Sequence, residues 1–126
     1  MSAMSADLSQ AWENREGPVV FVTVSADGIP NAIYATCVGK YDDSTLVVAD
    51  NYFNKTRENI LGANHQGCIL FTAKGGKTYQ IKGTLEYHRE GPVYDFMKSW
   101  NPKKHPGNAA VALKVTSAFS GAAQLC

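Results

Sequence analysis

At 126 residues the chain has the length of one domain with a single hydrophobic core. Its 44% apolar and 18% charged residues exclude a disordered polymer, and a net charge of +1 gives no field to draw in nucleic acid or an anionic membrane. The longest apolar runs, 19–24 and 46–49, are far too short to span a bilayer, so no membrane partner is expected.

The first residues, MSAMSADLSQAWENREG, carry no basic stretch followed by an apolar one. No secretory signal is expected there, and a cytoplasmic protein is the plain inference. Cys37, Cys68 and Cys126 are odd in number and widely spaced, which argues against a disulfide framework or a zinc knuckle. Cys37 and Cys68 are expected as small core residues. One domain spans 1–126, with an N-terminal helical segment over 1–16 and a barrel over 18–119.

Ser5-Ala6-Asp7 caps a short amphipathic helix carrying Leu8, Ala11 and Trp12, and Gly17-Pro18 stops it. Residues 19–25 are rich in β-branched side chains, and Ala26-Asp27-Gly28 turns them into a second strand predicted over 29–41. Asp42-Asp43-Ser44 turns into the short apolar strand 45–49. The period then changes: Phe53, Ile60 and Leu61 among polar residues predict a helix closed by Gly62. Residues 68–74 read as strand, and Gly75-Gly76 turns them into 77–89. There Tyr79, Ile81, Gly83, Leu85 and Tyr87 alternate with polar residues, as in a half-buried antiparallel sheet. Gly91-Pro92 opens a third helix with Val93, Phe96, Met97 and Trp100. A polar loop over 101–108 leads to a last strand over 109–119. Six strands and short peripheral helices predict a mainly β protein, closed or nearly closed into an antiparallel barrel.

The chemistry is concentrated where the strand 45–49 runs through Asp50-Asn51-Tyr52-Phe53 into the helix. Asn54 is placed as its N-cap, with Lys55, Thr56 and Arg57 in the first turn. Free backbone N–H groups, an ammonium, a hydroxyl and a guanidinium fork would together cradle a phosphate. Cations in a first helical turn are unfavourable by up to about 1 kcal/mol, so two of them ask for an anion. A solvated helix start neutralised by Glu58 is the alternative.

In order and spacing, these segments resemble the FMN-binding split-barrel proteins related to pyridoxamine 5′-phosphate oxidase, above all their short single-domain flavoproteins. The resemblance covers roughly 17–118. It rests on Gly17-Pro18-Val19-Val20, the Asp27-Gly28 turn, Leu46-Val47-Val48-Ala49 leading to Asn54-Lys55-Thr56, Ile81-Lys82-Gly83-Thr84-Leu85, and Gly91-Pro92. It implies a six-stranded Greek-key split β-barrel that forms a homodimer with FMN at the subunit interface. It also implies that Lys55 and Thr56, beside Asn54, hold the FMN phosphate. The strand end and loop, from Ala49 and Asp50 to Phe53, would run beside the flavin. Thr36, Cys37 and Val38 would lie along its ring, and Trp100 with the 101–108 loop would reach in from the second subunit.

The implied function is that of a flavoprotein acting as an oxidoreductase or electron-transfer protein, with the redox chemistry supplied by the flavin. No side chain presents itself as an obligatory acid, base or nucleophile. Pyridoxamine phosphate oxidases continue past their last strand with a basic segment for the substrate phosphate. This sequence runs out at Cys126, so vitamin B6 oxidation itself is not expected. A carrier or sensor of flavin without catalysis, or a barrel binding deazaflavin or haem, remain as alternatives. Lys40 is either a surface residue or a cation near the flavin. The basic, proline-framed 102–106 segment is either a solvated loop or a lid that reaches an acidic substrate. His65, His88 and His105 form no metal-ligand spacing, and the tyrosines have no basic stripe that would make a nucleic-acid surface.

Overall fold

The computed structural model describes residues 3–126. The first two positions of the 1–16 segment lie outside them. Helix α1 (Ala6–Glu13) is followed by strands β1 (Arg15–Val24), β2 (Pro30–Ala35), β3 (Val38–Asp42) and β4 (Thr45–Asp50). Helix α2 (Lys55–Leu61), strands β5 (Gln66–Ala73) and β6 (Thr78–His88), helix α3 (Pro92–Trp100), and strands β7 (Ala109–Ser120) and β8 (Ala123–Gln124) complete the chain. The strands form one antiparallel, 8-stranded sheet in the order β2-β1-β5-β6-β7-β4-β3, with β8 paired to β7.

The expected six strands are therefore eight, and the sheet is open. Part of the difference is a short C-terminal strand, β8. The rest comes from the stretch predicted as one strand over 29–41. It breaks at Thr36-Cys37, and its halves pair with different partners: β2 with β1, β3 with β4. These halves are the two end strands of the sheet order, yet only two residues join them. Three peptide steps span at most about 11 Å, so the short link holds the two ends of the sheet close together. The Cys37 carbonyl also accepts from Ala49 N at 2.9 Å. The sheet is thus curled like a barrel and split at Thr36-Cys37.

Its inside is filled by Phe21, Leu46, Ile69, Ile81 and Leu113, all without exposed surface. Helix α1, capped by the Ser5 hydroxyl accepting from Leu8 N, adds Leu8 and Trp12, whose ring meets Phe71 edge to face at 5.2 Å. A second, smaller apolar layer lies on the outer side of β4 and β7, where Val93 and Met97 of α3 cover Val47, Ala49, Ala110 and Ala112. Strand β4 is consequently buried on both faces, which is why it reads as an unbroken apolar run rather than an alternation. The alternation in β6 holds, with Ile81, Gly83 and Leu85 buried. At Gly83 the ladder to β7 shifts register, and a β-carbon there would lie 2.2 Å from the Lys114 carbonyl oxygen; only glycine allows that approach.

Cys37 and Cys68 are half-buried rather than core residues. Cys37 sits in the break between β2 and β3. Cys68 pairs in register with Val22 on the outer face of β5, where burial pushes its thiol pKa up.

Candidate functional site

Strand β4 leaves the core at Asp50, whose side chain has no exposed surface. Its carboxylate accepts from Arg57 Nε at 2.7 Å, from a terminal Arg57 nitrogen at 2.9 Å, from Phe53 N at 3.1 Å and from the Tyr87 hydroxyl. Burial pushes the carboxyl up, but the Arg57 fork, Tyr87 and the Phe53 amide more than offset this and hold its pKa below the ordinary value. The same contacts raise Arg57, and burial with the neighbouring carboxylate raises Tyr87. Asp50 thus folds the chain back on itself and fixes where α2 begins.

The next residue ties this turn to the 101–108 loop. Asn51 and Asn101 exchange amide hydrogen bonds at 3.0 and 2.9 Å, both side chains buried. Asn51 Oδ1 also accepts from Gly107 N at 3.0 Å, and the Asp50 and Asn51 carbonyls take the Asn108 backbone and side-chain N–H. Asn51→Ala leaves Asn101 and Gly107 N short of partners, and should cost about 2 kcal/mol. A lower urea midpoint with an unchanged slope, together with faster proteolysis within 101–108, is the expected result.

These anchors frame two adjoining clefts along the split. One, of about 320 Å³, is lined by Ile33, Thr36, Cys37, Ala49, Phe53 and His105 among others. The second, of about 460 Å³, shares Thr36, Cys37 and His105 and adds Val38, Gly39, Trp100 and Lys104. At the mouth of the first, the Tyr52 hydroxyl and His105 Nδ1 lie 3.1 Å apart. Trp100 packs its indole edge on Gly39, where a β-carbon would come within 3.1 Å, and its N–H has no partner.

Of the residues singled out in the sequence, Thr36, Cys37, Val38, Ala49, Phe53 and Trp100 come together on these two clefts. Trp100, expected to reach in from a second subunit, lines a cleft of its own chain. Asp50 stands behind the wall as an anchor. Lys55 and Thr56 lie at the start of α2, beyond the cleft lining. Thr56 is buried, and its hydroxyl accepts from Asn31 Nδ2 at 3.1 Å. Asn31 and Ile33 are two positions apart on β2, so Thr56 lies roughly 7 Å along the strand from the cleft wall.

Three details of the expected phosphate cradle change. Asn54 makes no side-chain cap, because its backbone (φ −130°, ψ −84°) departs from the extended conformation that a capping side chain needs. Arg57 is engaged by Asp50 rather than free for an anion. Lys55 already meets Glu58 at 3.0 Å, so the two cations do not by themselves demand a ligand. Lys40 likewise pairs with Asp43 at 3.0 Å. Asn31 is not among the residues singled out from the sequence; Asn51 and Asn101 enter there only as members of the loops expected beside the flavin, and Tyr87 only in the strand alternation, none of them as a hydrogen-bonding anchor. An asparagine directly after a wholly apolar strand and another directly after the apolar α3 were the available signals for the buried pair.

Among the described residues no group of three or more His, Cys, Asp or Glu side chains is placed to hold a metal ion, and no helix is long and apolar enough to cross a membrane.

A curled antiparallel sheet, split at one short link and carrying a cleft along the split, defines the class of split barrels. The sequence profile of the pyridoxamine 5′-phosphate oxidase family matches residues 6–120, and the chain belongs to that family. It is 34% identical over 112 residues to the uncharacterized protein MJ0282 of Methanocaldococcus jannaschii, covering 83% of this chain and 74% of that one. Among solved structures it is similar to HupZ of group A Streptococcus, with 25% identity, a TM-score of 0.80 and 93% of each chain covered. An FMN-binding protein of Syntrophomonas wolfei shares the fold at 16% identity and a TM-score of 0.74, over 87% of this chain and 80% of that one.

Proposed function

We propose that the protein is a homodimeric FMN-binding redox protein, with the flavin in the cleft along the Thr36-Cys37 split. The observation that carries this is the cleft itself, which follows the split past Ala49 and Phe53 and whose Ile33 wall lies two positions along β2 from Asn31, the donor to the Thr56 hydroxyl. Because Thr56 accepts from Asn31, its own hydrogen stays available for a phosphate oxygen. Lys55 adds an ammonium whose present partner, Glu58, is an exposed carboxylate that a phosphate can replace. Thr36, Cys37, Val38 and Ala49 would line the ring, and Trp100 would close the far side. Bound FMN would supply one- and two-electron redox chemistry; the chain's own groups bind it, orient it and exclude water. The FMN-binding relative and the family membership support the choice of ligand.

The outer face of β2, β1 and β5 supports the dimer. Cross-strand register lines up Tyr34, Val20 and Leu70 in one row and Ala32, Val22 and Cys68 in the next. Tyr34 is 77% and Leu70 42% exposed, a large apolar area for one chain to leave in water. Tyr34 also lines the first cleft, so a second subunit seated on this face would help to enclose the ligand.

The test is a titration of the purified protein with FMN and with riboflavin, followed by flavin fluorescence, and sedimentation of the loaded protein at a flavin wavelength. FMN is expected to bind at least about tenfold tighter, as one charged hydrogen bond implies, and to sediment with a dimer. Equal affinities, a haem or deazaflavin spectrum in the protein as purified, or a fully loaded monomer would overturn the assignment. Turnover with reduced nicotinamide then separates a catalyst from a carrier.

A further inference from the structure

Arg57 answers the burial of its guanidinium with Asp50, and Arg89 stays in water. Arg15 has neither remedy. It is half-buried, and burial pulls its pKa down. Among the described residues no carboxylate lies within ion-pair distance of it, and Glu13 acts on it only at longer range. A charge taken out of water without a partner is costly, so the arrangement favours an anion from outside the chain.

The guanidinium is held in place. Arg15 Nη1 donates to the Trp12 carbonyl at 2.9 Å, and the guanidinium carbon lies 4.3 Å from the centre of the Trp12 ring. Trp12 is itself fixed, buried and packed edge to face on Phe71. Arg15 also begins β1, in register with Ala73, so its backbone is set by the sheet. The bond to Trp12 leaves its other N–H donors free.

Arg15 lines a pocket of about 330 Å³ between the start of β1 and the link from β2 to β3, a volume within the range of small-molecule sites. The opening has a backbone cause. At Gly17-Pro18 the ladder to β5 shifts register, Gly17 takes a φ of +73°, and Pro18 has no N–H to pair. Thr36 lies on the wall, and its hydroxyl has no partner nearer than the Cys37 sulfur at 4.0 Å. The pocket meets the clefts along the split at Ala35, Thr36 and Val38, whereas Glu13, Arg15, Gly17 and Val19 line neither of them.

We propose that this pocket binds a small oxyanion, the carboxylate or phosphate group of a metabolite-sized molecule, with Arg15 as its cation and the Thr36 hydroxyl as a second donor. A planar fork of N–H groups suits the oxygens of either group, and the anion restores to Arg15 the compensation that burial removes. The site does not depend on the flavin assignment and stands or falls separately from it.

The probes are acetate and inorganic phosphate, titrated into 15N-labelled protein against chloride at matched ionic strength. The Arg15 Nε–H and Trp12 indole N–H resonances report on the site by NMR. Both are expected to shift together and to saturate with at least one of the two anions, and the tighter anion identifies the group. Arg15→Gln, followed at Trp12, should weaken binding by at least about tenfold, the loss of one charge-assisted hydrogen bond. Glu13→Gln alters only an exposed side chain and removes a like charge, so it should tighten binding by up to about fivefold. That variant keeps the test open should Arg15→Gln fail to fold. Shifts no larger than those with chloride, unchanged affinity in a folded Arg15→Gln protein, or weaker binding in Glu13→Gln would each overturn the proposal. So would loss of the Arg15 response once FMN is bound, which would merge the pocket with the flavin cleft.

Discussion

Replacing Asp50 by alanine is expected to cost the folded protein about 3 kcal/mol, the low end of the range for breaking a buried ion pair. The carboxylate is wholly buried, whereas Arg57 keeps 34% of its side-chain surface, so the stranded guanidinium can recover part of its hydration. Tyr87 and the Phe53 amide lose their acceptor as well. By contrast, Lys40–Asp43, Lys55–Glu58 and His88–Glu86 each have an exposed member, and each should contribute below about 1 kcal/mol. The effect carries a pH signature. Because the folded-state pKa of Asp50 is depressed, its contribution is fully present above the unfolded carboxyl value of about 4, and is lost as pH falls through the folded value. Urea midpoints for wild type and Asp50→Ala should therefore differ by a constant amount near neutral pH and converge in acid. A constant gap down to the lowest pH would mean that the ionised carboxylate contributes nothing.

Asp50 also shows where the sequence stops being informative. The apolar run before it, the helix after it and the change of period between them are local patterns, and they placed β4 and α2 correctly. What Asp50 bonds to is not local. Arg57 is seven residues further on, in the first turn of α2, and reaches back, while Tyr87 comes from the middle of the sheet, on a strand that does not neighbour β4. A basic residue in the first turn of a helix reads equally well as a ligand for phosphate, and the choice between the two depends on the fold.

The break at Thr36-Cys37 was hidden for a related reason. Neither residue is a turn former, and the whole stretch 29–41 has β character. Only competition between two partners, β1 on one side and β4 on the other, divides it. Yet the residues at that break were singled out, because the resemblance to the family carried them. Tertiary pairing supplies the reason that a cleft lies there: the two ends of the sheet meet at a link too short to be filled by side chains from either.

Lys55→Ala is expected to weaken FMN binding about ten- to hundredfold, the change implied by losing one hydrogen bond to a charged group, and to leave riboflavin binding nearly unchanged. Its side chain is 54% exposed and its partner Glu58 69%, so truncation removes no core packing and only a weak surface pair. Alanine is also a strong helix former and relieves a cation at a helix start. The folded state should keep its stability within about 0.5 kcal/mol, which circular dichroism and a urea midpoint would verify. Thr56→Val is the harsher variant. It keeps the volume but takes the acceptor from the half-buried Asn31 amide, so it should lower both FMN affinity and stability. The two variants separate the cradle from its support: Lys55 acts on the ligand alone, Thr56 on ligand and fold together. A folded Lys55→Ala protein that binds FMN as tightly as wild type would return Lys55 to its surface pair with Glu58 and move the phosphate elsewhere along the split.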